Sequence, residues 1–332
     1  MKVLLYTENE KMISKSGLGK AIKHQMKALE LAGVDYTTNP KDDYDILHIN
    51  TYFPASYLFA KSVRKNGKKV VYHAHSTEED YKDGFILAKQ TSKQFKKWLV
   101  ECYSLGDVVV TPTEYSKSLL DTYGIGKKIY AISNGIEIEK FKRDEELGKK
   151  FRETYGYKED DKVIIGIGLY IERKGIITFV ELAKRMPEYK FIWFGYSSLA
   201  VTTKEVRAAV NTKLENLIFA GYVESDMIIG AMSGCDLYLF PTLEETEGIP
   251  VLEACACKCK ALIRDIPVFD GWLTNGVNVY KAKDIDEFEL MIPKIISGEL
   301  PDLTDNAYQV ALDRSLEIVG QKLKKVYDEV MR

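Results

Sequence analysis

The sequence predicts an α/β protein built from two successive parallel sheets. Short apolar runs alternate with amphipathic stretches, the pattern of parallel strands covered by helices. That alternation runs twice, separated by a charged stretch at residues 140–161. The 332 residues exceed what one hydrophobic core ordinarily organises, and two domains of about 150 residues each are the natural division.

In chain order, the first half offers strands at 3–6, 46–49, 69–72, 108–111 and 129–132. Between the first two lies a helix over 20–32, with Ile22, Met26 and Leu29 on one stripe and Gly33 as its stop. The stretch 140–161 reads as a linker. The alternation then restarts with strands at 163–167, 191–194, 217–219, 237–240 and 261–264. The tail, 306–330, reads as one amphipathic helix that packs through Ala311, Leu316, Val319, Leu323 and Val326. The expected domains are 1–141 and 142–311, with a helix from about 312 to 332 packing back on the first.

Composition narrows the function classes. With 45% apolar and 29% charged residues, the chain is an ordinary globular protein. Its net charge of −2 conceals an excess of 6 basic residues over 1–143 and of 8 acidic residues thereafter. This asymmetry suggests that the first half faces something anionic. A near-neutral total without a recognition motif argues against nucleic acid as a partner. No run approaches the roughly 20 apolar residues that span a bilayer, and no apolar leader precedes the first strand. Five cysteines fit a reducing cytoplasm rather than a disulfide framework. Cys255, Cys257 and Cys259 lack a partner pair or a His at metal-ligand spacing, so they read as small packing residues. The superficial Asp-x-Asp in Asp42-Asp43-Tyr44-Asp45 precedes a strand and reads as a turn cap. No metal site is expected.

Open parallel sheets bind ligands at the carboxyl ends of their strands, and three segments there carry chemistry. Ser16-Gly17-Leu18-Gly19-Lys20 precedes the first helix, where Gly17 and Gly19 allow backbone N–H groups to approach an anion. Its distance from the first strand, and Ile22 in place of a third glycine, disfavour a dinucleotide-binding loop. Gly168-Leu169-Tyr170-Ile171-Glu172-Arg173-Lys174-Gly175 places two cations, Arg173 and Lys174, at a strand end where a diphosphate could sit. Pro241-Thr242-Leu243-Glu244-Glu245-Thr246-Glu247-Gly248-Ile249-Pro250-Val251-Leu252-Glu253 follows another strand. Its carboxylates can accept hydrogen bonds from sugar hydroxyls, and the helix start between them offers backbone donors.

The Glu245-x7-Glu253 element, Arg173-Lys174-Gly175 and Ser133-Asn134-Gly135-Ile136-Glu137-x3-Phe141 together resemble the family-4 retaining glycosyltransferases of GT-B fold. Asp45-Ile46-Leu47-His48-Ile49, Thr111-Pro112-Thr113-Glu114-Tyr115-Ser116 and Gly221-Tyr222-Val223 add to a resemblance that covers essentially the whole chain. It implies two Rossmann-like domains with parallel sheets facing an interdomain cleft. It implies that Glu253 holds the nucleotide ribose, that Glu245 lies beside the donor hexose, and that amides around Glu247, Gly248 and Ile249 meet sugar hydroxyls. Arg173 and Lys174 would hold the diphosphate without a metal, helped by Gly17 and Gly19. His75 would approach the sugar, with His73 as the alternative. Many members carry an Arg where this chain has Leu169, and Arg173 would take over its role. No carboxylate stands out as a covalent nucleophile, and the resemblance implies front-face substitution with retention.

A closer likeness narrows the acceptor. Lys15-Ser16-Gly17-Leu18-Gly19-Lys20, His73-Ala74-His75-Ser76-Thr77-Glu78-Glu79-Asp80, Phe191-Ile192-Trp193-Phe194-Gly195 and Arg264-Asp265-Ile266-Pro267-Val268 resemble bacterial diglucosyl-diacylglycerol synthases. The likeness implies glucose transfer from UDP-glucose to α-monoglucosyl-diacylglycerol, giving an α-1,2-linked diglucosyl lipid; the alternative is a capsule, wall-polymer or other acceptor. Such an enzyme would be cytoplasmic and peripheral to the inner face of the membrane. Residues 61–102 hold 10 basic against 5 acidic residues. Within them Lys89, Lys93, Lys96 and Lys97 neighbour Phe95, Trp98, Leu99 and Val100, a pattern that suits either an anionic membrane surface or a helix facing its own core.

Overall fold

The computed structural model describes residues 1–9, 13, 16–82 and 88–332. Lys15, which begins one of the family-like segments, lies outside them. The chain divides into two compact units: Met1–Tyr81 with Gln90–Glu137 and Asp313–Arg332, and Lys82–Lys89 with Ile138–Leu312.

The first unit is a six-stranded parallel sheet. Its strands are β1 (Lys2–Tyr6), β2 (Asp35–Thr37), β3 (Ile46–Ile49), β4 (Lys69–His73), β5 (Val108–Thr111) and β6 (Lys128–Ala131), in the spatial order β2-β1-β3-β4-β5-β6. Its helices are α1 (Gly17–Leu31), α2 (Pro54–Lys65), α3 (Glu78–Lys82), α4 (Ala88–Tyr103) and α5 (Glu114–Asp121). Both sheet faces are buried, so the strands read as continuous apolar runs rather than alternating ones. On one face Val3, Leu5 and Val71 pack with Leu29 of α1. On the other Leu4, Val70 and Tyr72 pack with Val63 of α2 and Leu99 of α4. The alternation of Val70, Val71 and Tyr72 between the faces is the two-residue period of a strand.

The second unit repeats the architecture with β7 (Val163–Ile167), β8 (Lys190–Phe194), β9 (Leu217–Gly221), β10 (Leu237–Phe240), β11 (Ala261–Arg264) and β12 (Tyr280–Ala282). All are parallel, in the order β12-β11-β10-β7-β8-β9. Its helices are α6 (Glu145–Thr154), α7 (Ile176–Arg185), α8 (Lys204–Val210), α9 (Ser225–Gly234), α10 (Ile249–Ala256), α11 (Ile285–Ile296) and α12 (Thr304–Leu312). The strand order reverses between β1 and β3 in one sheet and between β7 and β10 in the other. A crevice opens at such switch points because successive helices leave toward opposite faces.

Several sequence expectations need correction. The stretch 140–161 contains helix α6, capped by the Asp144 side chain on Leu147 N–H at 2.9 Å. It packs on α9, where Gly148 and Gly234 meet too closely for side chains, and Phe151 is fully buried. High charge had masked this helix because only one narrow stripe faces inward. The tail is two helices, α12 and α13 (Leu316–Val330). Between them the chain pairs with Ile136: Ile136 N–H donates to Arg314 O at 3.0 Å and Leu316 N–H to Ile136 O at 3.2 Å. Ser315 then caps α13, which packs on α1 with Gly320 against the Ala28 carbonyl. The edge strands β2 and β12, three residues each, were missed because so short a run has little pattern. Helix α10 ends at Ala256, Lys258 adopts φ 50°, and Cys255, Cys257 and Cys259 are all buried, as expected of packing residues.

Candidate active site

The loops after β7 and β10 meet at the switch point of the second sheet. A short turn, Glu172–Lys174, ends at Gly175 with φ 73°. A side chain at Gly175 would overlap the Pro241 carbonyl, so glycine is required by both conformation and contact. The second loop is bonded onto the first: Leu243 N–H donates to Arg173 O at 2.7 Å, and Thr242 Oγ1 to the same oxygen at 3.0 Å.

This backbone brings Arg173, Lys174 and Glu245 together. Lys174 Nζ bonds to Glu245 Oε1, and Arg173 Nη1 lies 3.6 Å from Glu245 Oε2 while donating to Glu244 O at 2.9 Å. Thr242 Oγ1, whose one proton is shared between the Arg173 carbonyl and this carboxylate, lies 3.0 Å from Glu245 Oε1. Lys174 also stands 5.8 Å from the centre of the Phe240 ring, a favourable place for a cation. Burial pushes the Glu245 carboxyl up, but Lys174 and Arg173 outweigh it and hold the group below its ordinary value of 4.5. The cluster is a charged triad, mostly buried, with two cations on one carboxylate. An incoming anion could compete for those cations.

Glu247, Gly248 and Ile249 follow at the start of α10. Gly248 has φ 94° at the N-cap, and its conformation turns the chain so that the first amides of α10 lead the helix. Glu247 is 1% exposed and Glu253 is fully buried. Glu253 lies within α10 near Tyr238, whose hydroxyl is pushed up first by burial and then by Glu253 and Glu245. Leu169 is half-buried, and its carbonyl accepts from Ile171 N–H at 2.8 Å to close the turn that leads to Arg173. Thr242, Phe240 and Arg264 shape this site; the sequence placed them within motif segments or at strand ends but gave none of them a role. Arg264 Nε donates to Pro241 O at 3.1 Å; its signals were its place at the end of a strand and the family-like segment that it opens.

The first unit holds all four histidines of the chain. Ser16 caps α1, accepting from Gly19 N–H at 3.3 Å, and a side chain at Gly17 would meet open space. His73, at the end of β4, is buried, whereas His75 two residues on is partly exposed. Their rings stack at 4.0 Å and 9°. His75 Nε2 lies 3.0 Å from Asn50 Oδ1, Asn50 Nδ2 donates to Gln25 Oε1 at 2.8 Å, and Gln25 Nε2 lies 2.9 Å from His48 Nε2. His48 Nδ1 is 2.7 Å from the Tyr327 hydroxyl of α13. Burial lowers His75 and His48 to about 3 and His73 well below its ordinary value, so this cluster is neutral at pH 7. His24 is separate, with Nδ1 2.8 Å from Gly135 O.

Helix α4, whose pattern suited either a membrane surface or its own core, turns Leu99 and Cys102 fully into the core. Phe95 and Trp98 are half-buried in an aromatic cluster, with Trp98 5.1 Å from Tyr57 and its Nε1 donating to Tyr52 O at 2.7 Å. Lys93 and Lys97 are exposed. Lys96 instead pairs with Glu78 at 3.6 Å and covers the Tyr123 ring. The stretch Asp42–Asp45 caps and pairs locally: Asp42 accepts from Thr37 and Asn39, and Asp45 from Lys2 N–H.

Known proteins match both units. The model of the glycosyl transferases group 1 covers residues 148–311, and that of glycosyltransferase family 4 covers 34–140. The chain is 40% identical to the processive diacylglycerol alpha-glucosyltransferase of Acholeplasma laidlawii, over 100% of this chain and 99% of that one. It is 22% identical to the alpha-galactosylglucosyldiacylglycerol synthase of Streptococcus pneumoniae, over 99% and 90%. Among solved structures, Anabaena HepE in complex with UDP and glucose superposes with a TM-score of 0.79 at 16% identity, covering 99% of each chain. The sucrose-phosphate synthase of Thermosynechococcus elongatus gives 0.81 at 14%, covering 100% and 99%. The fold is GT-B, and the chain belongs to the glycosyltransferases of family 4 and group 1.

Proposed function

We propose that the protein is a retaining glucosyltransferase that moves glucose from UDP-glucose to α-monoglucosyl-diacylglycerol, forming α-1,2-linked diglucosyl-diacylglycerol. The observation that carries the transferase chemistry is the Arg173–Lys174–Glu245 cluster at the switch point of the second sheet. The diphosphate of a nucleotide sugar gains charge as the sugar–phosphate bond breaks, and two fixed cations stabilise that charge. On this reading the leaving phosphate oxygen takes the proton of the attacking hydroxyl on the same face, which preserves the anomeric configuration. Glu245 orients the cations and the hexose rather than forming a covalent bond to it. On this reading Arg173 and Lys174 supply the positive charge without a metal, and a chelator should leave the rate unchanged. Glu253 and the first amides of α10 bind the ribose and the hexose hydroxyls.

The lipid acceptor is supported by the full-length relationship to a diacylglycerol glucosyltransferase. Among the described residues no helix is long and apolar enough to cross a membrane. Access to a lipid then depends on peripheral binding, for which Lys93 and Lys97 on α4 and Lys61, Lys65 and the 64%-exposed Leu58 on α2 offer a basic surface with shallow apolar contact. The inner face of the cell membrane is the proposed location. The test is incubation with UDP-glucose and α-monoglucosyl-diacylglycerol in anionic micelles, with products weighed by mass spectrometry and the linkage read by NMR. UDP release with no lipid product would redirect the acceptor to a capsule or wall polymer.

A further inference from the structure

The polar cluster at the end of the first sheet constrains one ring more tightly than packing alone would. Asn50 follows β3 and presents two different groups: its Nδ2 donates to Gln25 Oε1 at 2.8 Å, so its Oδ1 is the atom that faces His75 Nε2 at 3.0 Å. A carbonyl oxygen only accepts. His75 Nε2 must therefore carry a proton. The same ring lies flat on His73 at 4.0 Å and 9°, which fixes its plane. His73 in turn is tied at Nδ1 to His48 Nε2, 3.1 Å away, and His48 to Tyr327 of the last helix.

We propose that Asn50, oriented by Gln25, is a positioning residue that holds neutral His75 as its Nε2–H tautomer, leaving Nδ1 as a hydrogen-bond acceptor for a substrate hydroxyl. This deepens the glycosyltransferase reading and rests on it for the identity of the hydroxyl, which belongs to a sugar. The two nitrogens of an imidazole have opposite roles once one is protonated, so the partner of Nε2 decides what Nδ1 can do. The titratable groups recorded against this ring and its partners are His73 from β4, His48 from β3 and Tyr327 from α13. Burial keeps both histidines neutral and pushes the Tyr327 hydroxyl up. Asn50 and Gln25 bring no charge, which distinguishes the arrangement from a carboxylate–histidine pair that would favour the imidazolium.

Two measurements test the proposal on the full-length protein. Long-range ¹H–¹⁵N correlation spectra of histidine-labelled protein, with the His75 signals assigned by their loss in His75→Gln, should show Nε2–H and an unprotonated Nδ1 at about pH 7. An Nδ1–H tautomer or an imidazolium would overturn it. In transfer assays Asn50→Ala should lower kcat about tenfold, with KM for UDP-glucose within about twofold. Asn50→Asp keeps the accepting oxygen but adds a charge that favours protonated His75. Its activity should fall below about pH 7 and recover at higher pH, where wild type is flat. A pH-independent loss in Asn50→Asp would reduce Asn50 to a structural residue and sink the proposal. Wild-type protein with no transfer to any acceptor would refute the functional reading instead, while the spectra would still decide the tautomer.

Discussion

The ammonium of Lys174 is bonded to the carboxylate of Glu245, 71 positions along the chain and on the far side of the switch between β7 and β10. Two loops that carry opposite charge are thereby joined before any substrate arrives. The role proposed for Lys174 predicts a specific kinetic pattern. Lys174→Ala should lower kcat about 100-fold with a smaller change in KM, because the missing charge matters most as the diphosphate leaves. A rise in KM with kcat unchanged would assign Lys174 to ground-state binding.

The pH dependence of stability follows from the same pair. The Glu245 carboxyl is held below its ordinary 4.5 when folded. Its contribution is therefore complete above that value and disappears as pH falls through the depressed folded one. Glu245→Gln leaves Lys174 buried without its main counter-charge and should cost about 3 kcal/mol at neutral pH. The Tm difference between wild type and Glu245→Gln should narrow below about pH 4.5. A difference constant from neutral pH into acid would contradict the charged pair.

Gly175 provides a test of the backbone that carries the site. Gly175→Ala would strain a positive φ and collide with the Pro241 carbonyl, whereas Gly33, at φ 65°, would place its new Cβ in open space. Gly33→Ala should cost about 1 kcal/mol, and Gly175→Ala more than about 2 kcal/mol with loss of transfer. Chemical denaturation measures both. Equal costs would mean that the two loops are not held against each other.

How much of this was legible beforehand varied with the type of signal. The strands β1, β3, β4, β7, β10 and β11 could be read because they are buried on both faces and leave uninterrupted apolar runs. The segments bearing Arg173, Lys174 and Glu245 could be read because chemistry-bearing residues at a strand end stand out against that background. Helix α6 could not, since six of its ten residues are charged and Phe151 alone marks its inner stripe strongly. Neither could the break at Ser315, which depends on Ile136, distant in sequence, pairing with the chain there. The Asn50–His75 relation was invisible for the same reason: neither residue type nor spacing says which amide atom faces a ring.

Glu253 distinguishes nucleotide binding from packing. Glu253→Ala should weaken UDP binding, measured by calorimetry, about tenfold or more through lost ribose hydrogen bonds. Because the residue is fully buried, a fall in Tm accompanies this. A lower Tm with unchanged UDP affinity would place Glu253 in the core alone.

Attraction to anionic lipid should depend on the exposed lysines. Replacing Lys93 and Lys97 by Glu should reduce co-sedimentation with vesicles rich in phosphatidylglycerol, as should raising salt to about 0.5 M, where the screening length falls to a few ångströms. Binding indifferent to both would remove the electrostatic account of membrane contact.

The most direct test of the central claim is mass spectrometry of lipid extracted after incubating the protein with UDP-glucose and α-monoglucosyl-diacylglycerol. The account predicts addition of a hexose to the lipid, abolished in the Lys174→Ala, Glu245→Gln double substitution. Unmodified lipid, in the presence of folded protein and anionic micelles, would contradict it.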